Sequence, residues 1–474
     1  MRLLDTPTAD IQYSKRASIY RPCSLEEVAT TKIVVVGGGA GGIGAAGAAR
    51  GTDKNADVVV YTEYEDAAYS PCGIPYVHGK EIPDFQSLFL ATKDSYREAG
   101  IDIHYETAVT GLDVAKKTVT VAGQGEVSWD RLVLATGFTY ADPGVPGSDL
   151  EGLYYVKNIR QAMEWDKVLD TTKVAVVVEA SPLGLEMVTA LAHRGIETHV
   201  VDPHPWALAE ATDPDIAAPV EESWAEMGVK MHFNTKLEAF VGDGAGKVRG
   251  VRTDQGELPA DLVVVCTKKQ PNTTLAASAG LKLGSTGGIV VDQRMATSVP
   301  GIYAAGDCIE IPHGVSNVPI QGLSGSHAYS QGKVAGTNAA GGSRAYQPVY
   351  VPWGMVAGKW MIGGVSFGET LATALGIPFV LGQATGISRA RYYPGVKKVK
   401  VKLLAEPGTL KLIGAQMVGQ EGIKERADFL AMCVKTGITL TDLAYMENVY
   451  SPPIGALNEP IAVAAQNGLN SLKS

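Results

Sequence analysis

Cysteine is scarce in this chain. Its five residues, Cys23, Cys72, Cys266, Cys308 and Cys433, are spread over 474 positions. They are too far apart for a disulfide framework, and they lack the clustered spacing of a metal site. Charge is also thin: charged residues make up 19% of the chain and the net charge is -9. An acidic surface repels phosphate backbones, which excludes a nucleic-acid partner. No uninterrupted apolar run is long enough to cross a bilayer. Residues 1–31 are polar and lack the apolar core of a secretory signal, so they read as an extension ahead of the first domain. No short-period repeat is visible. A cytoplasmic protein in a reducing compartment is the expectation that these absences leave.

What the chain has in excess is glycine. There are 55, about twice the average share, and they gather in short clusters after apolar runs. Apolar runs at 32–36, 58–61, 132–136, 173–178, 198–201, 262–265 and 301–304 predict strands. Helical patterns at 43–50 and 185–193 alternate with them, as in a parallel α/β sheet. Two such βαβ beginnings stand about 140 residues apart, which signals two domains of similar kind. After residue 345 the texture changes. Segments 397–405 and 410–418 predict paired strands, followed by helices at 424–436 and 441–445, an α+β pattern.

The first glycine cluster, Gly37-Gly38-Gly39-Ala40-Gly41-Gly42, fits G-x-G-x-x-G at Gly37, Gly39 and Gly42. It follows a predicted strand and opens a helix, the setting in which this motif cradles a dinucleotide pyrophosphate on the helix N-terminus. Glu63, or its neighbour Thr62, ends the next strand, where a ribose hydroxyl is received.

Three further stretches resemble the flavin-dependent pyridine nucleotide-disulfide oxidoreductases. Ala135-Thr136-Gly137 with Pro143 is similar to that family's A-T-G-x-x-P crossover. Residues 297–307, ending in Gly306-Asp307, resemble its second flavin motif, and 325–332 the helix that follows. The resemblance implies FAD, with Asp307 on the ribityl chain. It also implies an architecture of two Rossmann-like three-layer dinucleotide-binding domains plus a C-terminal α+β interface domain. The expected boundaries are 32–157 with 284–345 for FAD, 158–283 for NAD(P), and 346–474 for the interface.

Ser70-Pro71-Cys72-Gly73-Ile74-Pro75-Tyr76 resembles the single-cysteine branch of that family, which holds coenzyme A disulfide reductases, NADH oxidases and persulfide reductases. Cys72 has no second cysteine near it. The resemblance implies that a low-molecular-weight thiol, a persulfide or oxygen completes its redox cycle. A helix N-terminus and the flavin site are expected to favour its thiolate. The other cysteines are expected to be packing residues.

The second loop departs from the pattern. Where the family has G-x-G-x-x-G, this chain reads Glu179-Ala180-Ser181-Pro182-Leu183-Gly184, and only Gly184 survives. A glutamate opposes a pyrophosphate both sterically and electrostatically. Lys268, which replaces a glycine of the family, is expected either to compensate Glu179 or to contact a phosphate. Glu186 matches a glutamate near flavin and nicotinamide, and Asp202 suits a ribose 2′-hydroxyl, hence NADH over NADPH.

In the C-terminal part, Ala384-Thr385-Gly386, Tyr392-Tyr393 and Tyr450-Ser451-Pro452-Pro453 resemble the interface domain. The resemblance implies a homodimer and a thiol-assisting role for Tyr450. No rhodanese-type domain is expected after residue 474. Arg50 and Lys54 are the basic residues near the first helix available to coenzyme A phosphates. The leading expectation is an FAD-dependent NAD(P)H oxidoreductase acting through Cys72. The alternative is an FAD-containing electron-transfer subunit of a larger oxidoreductase, with Cys72 auxiliary.

Overall fold

The structure is a computed structural model that describes residues 30–321, 324–346 and 348–473. All but the end of the expected N-terminal extension, with Cys23, lies outside the described residues.

Valine-rich runs form the centre of two similar parallel sheets. In the first, Ile302–Ala304, Arg131–Leu134, Lys32–Val36, Asp57–Tyr61 and Asp102–His104 lie side by side in that order. In the second the order is Lys230–His232, Glu197–Val201, Val174–Val178, Leu262–Val265 and Leu153–Tyr154. The central strands are buried on both faces, which is why they read as continuous apolar runs rather than as alternation. Each sheet receives a three-stranded antiparallel insertion, at Val109–Asp113, Thr118–Val121 and Gly125–Ser128 and at Leu237–Gly242, Val248–Thr253 and Gly256–Pro259. The third sheet is antiparallel and C-terminal: Pro352–Ala357, Trp360–Ser366, Leu412–Gly419, Lys398–Ala405 and Val380–Ile387. Helices Ile423–Thr436 and Pro460–Ser471 pack on it. Among the described residues no helix is long and apolar enough to cross a membrane.

Several boundaries differ from expectation. The first helix runs over Ala40–Thr52, three residues earlier than its apolar pattern, because the glycines that look like helix breakers are its first turn. The strand expected at 132–136 ends at Leu134, and Gly137 with φ +68° turns the chain away. Pro352–Ala357, Trp360–Ser366 and Val380–Ile387 were not predicted; glycines interrupt their alternation.

Two features position the site. Helix Gly325–Ala339 lies backbone to backbone on the first helix: a Cβ at Gly332 would stand 2.0 Å from the Gly41 carbonyl oxygen, and one at Gly336 1.9 Å from that of Ala45. The second feature is a buried cation. Lys402 Nζ is held by Asp213 (2.7 Å), Asp215 (3.0 Å) and Glu369 (3.0 Å), and Asp215 also pairs with Lys400. Gln416 adds to this junction, accepting from Asp213 N and donating to the Ala211 carbonyl. It joins helix Pro214–Glu226 beside the second parallel sheet to the C-terminal sheet.

Candidate active site

The first glycine loop lies at the carboxyl end of its sheet. Gly37 takes φ +113°, and a Cβ there would meet the Ala135 carbonyl oxygen at 2.2 Å. Gly42 lets helix and strand approach, since its Cβ would stand 1.8 Å from the Gly37 oxygen. Gly39 caps the helix with no side-chain hydrogen bond, and a Cβ on it would meet nothing within 4 Å. The first N–H groups from Ala40 onward therefore face open space, the geometry that accepts a phosphate. At the end of the next strand Thr62 is buried and Glu63 is exposed, so Glu63 is the acid available there. The crossover is held by reciprocal bonds: Thr136 Oγ1 donates to the Asn272 carbonyl (2.6 Å) and Asn272 Nδ2 to that of Thr136 (3.0 Å). Gly306, at φ +85°, donates to Gln331 Oε1, and Asp307 beside it pairs with Lys269 at 3.1 Å.

Cys72 sits on the short 3-10 turn Pro71–Gly73 that leads into helix Ile74–His78. It is an exposed residue, whereas Cys266, Cys308 and Cys433 are buried free thiols. The turn is closed by Gly73, whose Cβ would strike Leu88 at 2.2 Å. The helix is tied to the second lobe. Tyr76 donates to Glu186 Oε1 (3.2 Å), Arg194 donates to the His78 carbonyl (3.1 Å), and the buried His78 ring meets Asp166 and Tyr154, each at 3.2 Å. Although the residue reaches solvent, the protein around its sulfur desolvates it and pushes the thiol up; Glu186 and Asp307 add to that and Lys269 opposes it. The thiolate stabilisation that the protein's own groups supply, from Lys269 and a backbone hydrogen bond at Cys72, is outweighed: the helix behind Cys72 is a turn and a half, and burial and two acids act against the anion.

The second loop repeats the first with different side chains. Glu179 N donates to the Val201 carbonyl (2.8 Å) as Gly37 N does to that of Tyr61 (2.8 Å). A Cβ at Gly184 would stand 2.1 Å from the Glu179 carbonyl oxygen, as one at Gly42 would stand 1.8 Å from that of Gly37. Ser181 caps the helix by accepting from Gly184 N (3.3 Å) and donates to the Cys266 carbonyl (2.7 Å). Asp202 is buried and engaged: it accepts from Ala180 N (2.6 Å) and His204 N (2.8 Å) and meets the His204 ring. The charges acting on Glu179 are Asp202, Glu210 and His204. Lys268 is exposed and is not among them, so it does not compensate Glu179.

Residues 31–331 match the family described as pyridine nucleotide-disulphide oxidoreductase, and 354–460 match its dimerisation domain. The chain belongs to the pyridine nucleotide-disulphide oxidoreductase family. Among its relatives is an NADH oxidase of Methanocaldococcus jannaschii, 35% identical over 94% of this chain and 100% of that protein. An NAD(P)H coenzyme A polysulfide/persulfide reductase of Pyrococcus horikoshii is 30% identical over 92% of this chain and 98% of that one. The solved NAD-dependent persulfide reductase from A. fulgidus superposes with a TM-score of 0.90 at 31% identity, covering 94% of this chain and 84% of that one.

As a pyridine nucleotide-disulphide oxidoreductase the protein works with FAD and a nicotinamide nucleotide. The open, uncapped N-terminus at Gly39 and the exposed Glu63 fit the flavin dinucleotide. The retained Gly184 and the buried Asp202, at the carboxyl ends of adjacent strands, fit the second nucleotide. Sequence reasoning missed Tyr76, Phe138, Lys157 and Lys269. Lys269 Nζ lies 4.4 Å and Lys157 Nζ 5.6 Å from the Phe138 ring centre. The strand Lys269–Pro271 pairs with Phe138–Tyr140, and no local pattern announces that meeting. Tyr76 was visible in the heptapeptide as the residue four after Cys72. Tyr450 lies in the C-terminal part of the chain, where its exposed hydroxyl meets that of Tyr392 at 3.0 Å rather than Cys72. Arg50 is partly spent on the Ala56 carbonyl (2.9 Å), and with Lys54 it borders a surface groove beside Gly47, Gly51, Ala99 and Ile101.

Burial pushes the Glu186 carboxyl up to about 7, with the Tyr76 hydrogen bond opposing. It is neutral below that pH and anionic above it, and the anion raises the Cys72 thiol. Glu186→Gln should therefore make Cys72 alkylate faster at pH 8, roughly tenfold for one unit of thiol pKa. The difference should narrow below pH 7. Iodoacetamide rates followed by mass spectrometry measure it.

Proposed function

We propose that the protein oxidises NADH and reduces a low-molecular-weight persulfide or disulfide through Cys72. The observation that carries this reading is the one exposed cysteine among the described residues, set at the junction of two dinucleotide-binding lobes among Glu186, Lys269 and Asp307. The thiolate attacks the sulfur–sulfur bond of R–S–S–R′, expels one thiol and holds the other half as a mixed disulfide. Two electrons from NADH break that bond, so the balance is NADH + H⁺ + RSSR′ → NAD⁺ + RSH + R′SH. FAD supplies the two-electron relay between nicotinamide and sulfur. Lys269 favours the thiolate; Glu186, about half protonated near pH 7, holds a proton for the departing thiol. Asp202 supports NADH over NADPH, and Gly37, Gly39, Ala40, Gly42, Glu63, Ala135, Thr136, Gly137, Gly306 and Asp307 serve the flavin side.

The family domain at 354–460 supports a homodimer. So do Phe429, Met432, Tyr445, Val449, Ile454 and Leu457, large apolar side chains left exposed in the C-terminal part. In that dimer Tyr450 assists thiol chemistry at the partner's cysteine. The free thiols fit a reducing compartment.

Anaerobic addition of NADH to the yellow protein tests the reading. The flavin band should bleach within the dead time of manual mixing, and a persulfide of coenzyme A should restore it with release of sulfide. Bleaching that only a partner oxidoreductase reverses would instead favour the electron-transfer subunit. Failure of either nicotinamide nucleotide to bleach the band would remove NADH from the account.

A further inference from the structure

The loop between Val174–Val178 and Pro182–His193 has the backbone of a dinucleotide-binding turn and the side chains of an acidic one. Glu179 stands where the first loop has Gly37, with the same hydrogen bond to the neighbouring strand and the same packing on the third glycine position. It adopts φ +71°, in the left-handed region that favours glycine. The half-buried residue follows directly on the carboxyl end of Val174–Val178, the end of the sheet where nucleotides lie in open α/β folds.

Acids surround this carboxyl on several sides. Asp202 and His204 face Glu179 from the end of Glu197–Val201 and the turn after it, and Glu210 from the following segment. Cys266 faces it from the end of Leu262–Val265; that thiol is fully buried and pushed up by burial, so it stays neutral. Ser181 and Pro182, on the helix side, do not ionise. The one cationic candidate acting on Glu179 is His204, and its ring is bound to Asp202 at 2.8 Å. Among the described residues an ionised Glu179 therefore has two acids beside it and no dedicated cation.

We propose that Glu179 makes nicotinamide-nucleotide binding proton-linked: the loop seats the pyrophosphate with this carboxyl neutral, so that binding takes up a proton. The inference rests on the nucleotide half of the proposed reaction and goes beyond it. Burial pushes the Glu179 carboxyl up to about 7, with Asp202 and Glu210 adding and His204 opposing. Below that pH the carboxyl is already neutral and affinity is flat. Above it the free protein carries the anion, and the bound pyrophosphate raises the carboxyl further. Affinity then falls by up to about tenfold per pH unit.

Calorimetric titration of the oxidised holoenzyme with NAD⁺ in phosphate and in Tris, buffers with very different ionisation heats, measures the proton count. NAD⁺ binds there without passing electrons. The expected result is about one proton taken up per NAD⁺ at pH 8 and close to none at pH 6, with a Kd that rises roughly tenfold between pH 7 and 8.5. Glu179→Gln should abolish both the uptake and the pH dependence while keeping the wild-type affinity of pH 6; its flavin absorbance reports that it has folded. His204→Asn should keep the uptake. Uptake that persists in Glu179→Gln, or that disappears only in His204→Asn, overturns the proposal, as does a wild type without uptake. If NAD⁺ binds at no pH and NADH leaves the flavin unbleached, the nucleotide reading itself fails, an outcome distinct from binding without a proton.

Discussion

Cys72→Ser should lose roughly a thousandfold or more in turnover with a persulfide or disulfide acceptor, while NADH bleaches its flavin at the wild-type rate. A hydroxyl cannot exchange with a sulfur–sulfur bond near neutral pH, and the other described cysteines, Cys266, Cys308 and Cys433, are buried. A thousandfold loss corresponds to about 4 kcal/mol of transition-state stabilisation. The substitution is nearly isosteric at an exposed site, so folding and flavin content should not change. Stopped-flow reduction and steady-state sulfide release separate the two half-reactions. If Cys72→Ser keeps its acceptor activity, sulfur chemistry does not pass through this residue.

Gly42→Val should give a colourless protein. A Cβ at that position would stand 1.8 Å from the Gly37 carbonyl oxygen, and real Cβ contacts essentially never fall under 3.0 Å. The obstacle is backbone, so the turn and the helix must separate. The helix cannot retreat, because Gly332 and Gly336 already bring Gly325–Ala339 onto its other side. Overpacking of this kind costs about 1–3 kcal/mol in stability. The larger effect is on the cradle: N–H groups aimed at a phosphate lose their aim with a shift of about 1 Å. Flavin content per protein, from the ratio of visible to ultraviolet absorbance, should fall at least tenfold. Gly47→Ala on the same helix, where a Cβ meets nothing within 4 Å, should keep its colour.

Much of the architecture was legible because both parallel sheets are built from apolar runs, such as Ile33 to Val36 and Ala175 to Val178, buried on both faces and followed at once by a turn. The first loop was legible for the same reason that it works: only glycine tolerates the contacts at Gly37 and Gly42. Cys72 stood out through the heptapeptide Ser70 to Tyr76 around it, which carries the resemblance to the single-cysteine branch. Lys269, the cation that acts on it, did not. Lys157 and Lys269 reach Phe138 from distant segments, and that convergence is a property of the tertiary fold. Of the two roles expected of Lys268, compensation of Glu179 fails for a similar reason. Adjacent lysines on an extended segment point to opposite sides, and it is Lys269 that turns inward, toward Asp307.

The Lys402 junction bears on how the molecule moves. Breaking a buried ion pair by removing one partner leaves an uncompensated charge and is strongly unfavourable, and burial shields such a pair from added salt. The lobe that carries Glu179 is thus riveted to the C-terminal sheet. Swinging that lobe as a rigid body would tear the rivet. Admission and release of a nucleotide are left to small adjustments of the 179–184 and 203–210 segments, so crosslinking the lobe to the sheet should leave catalytic throughput unimpaired.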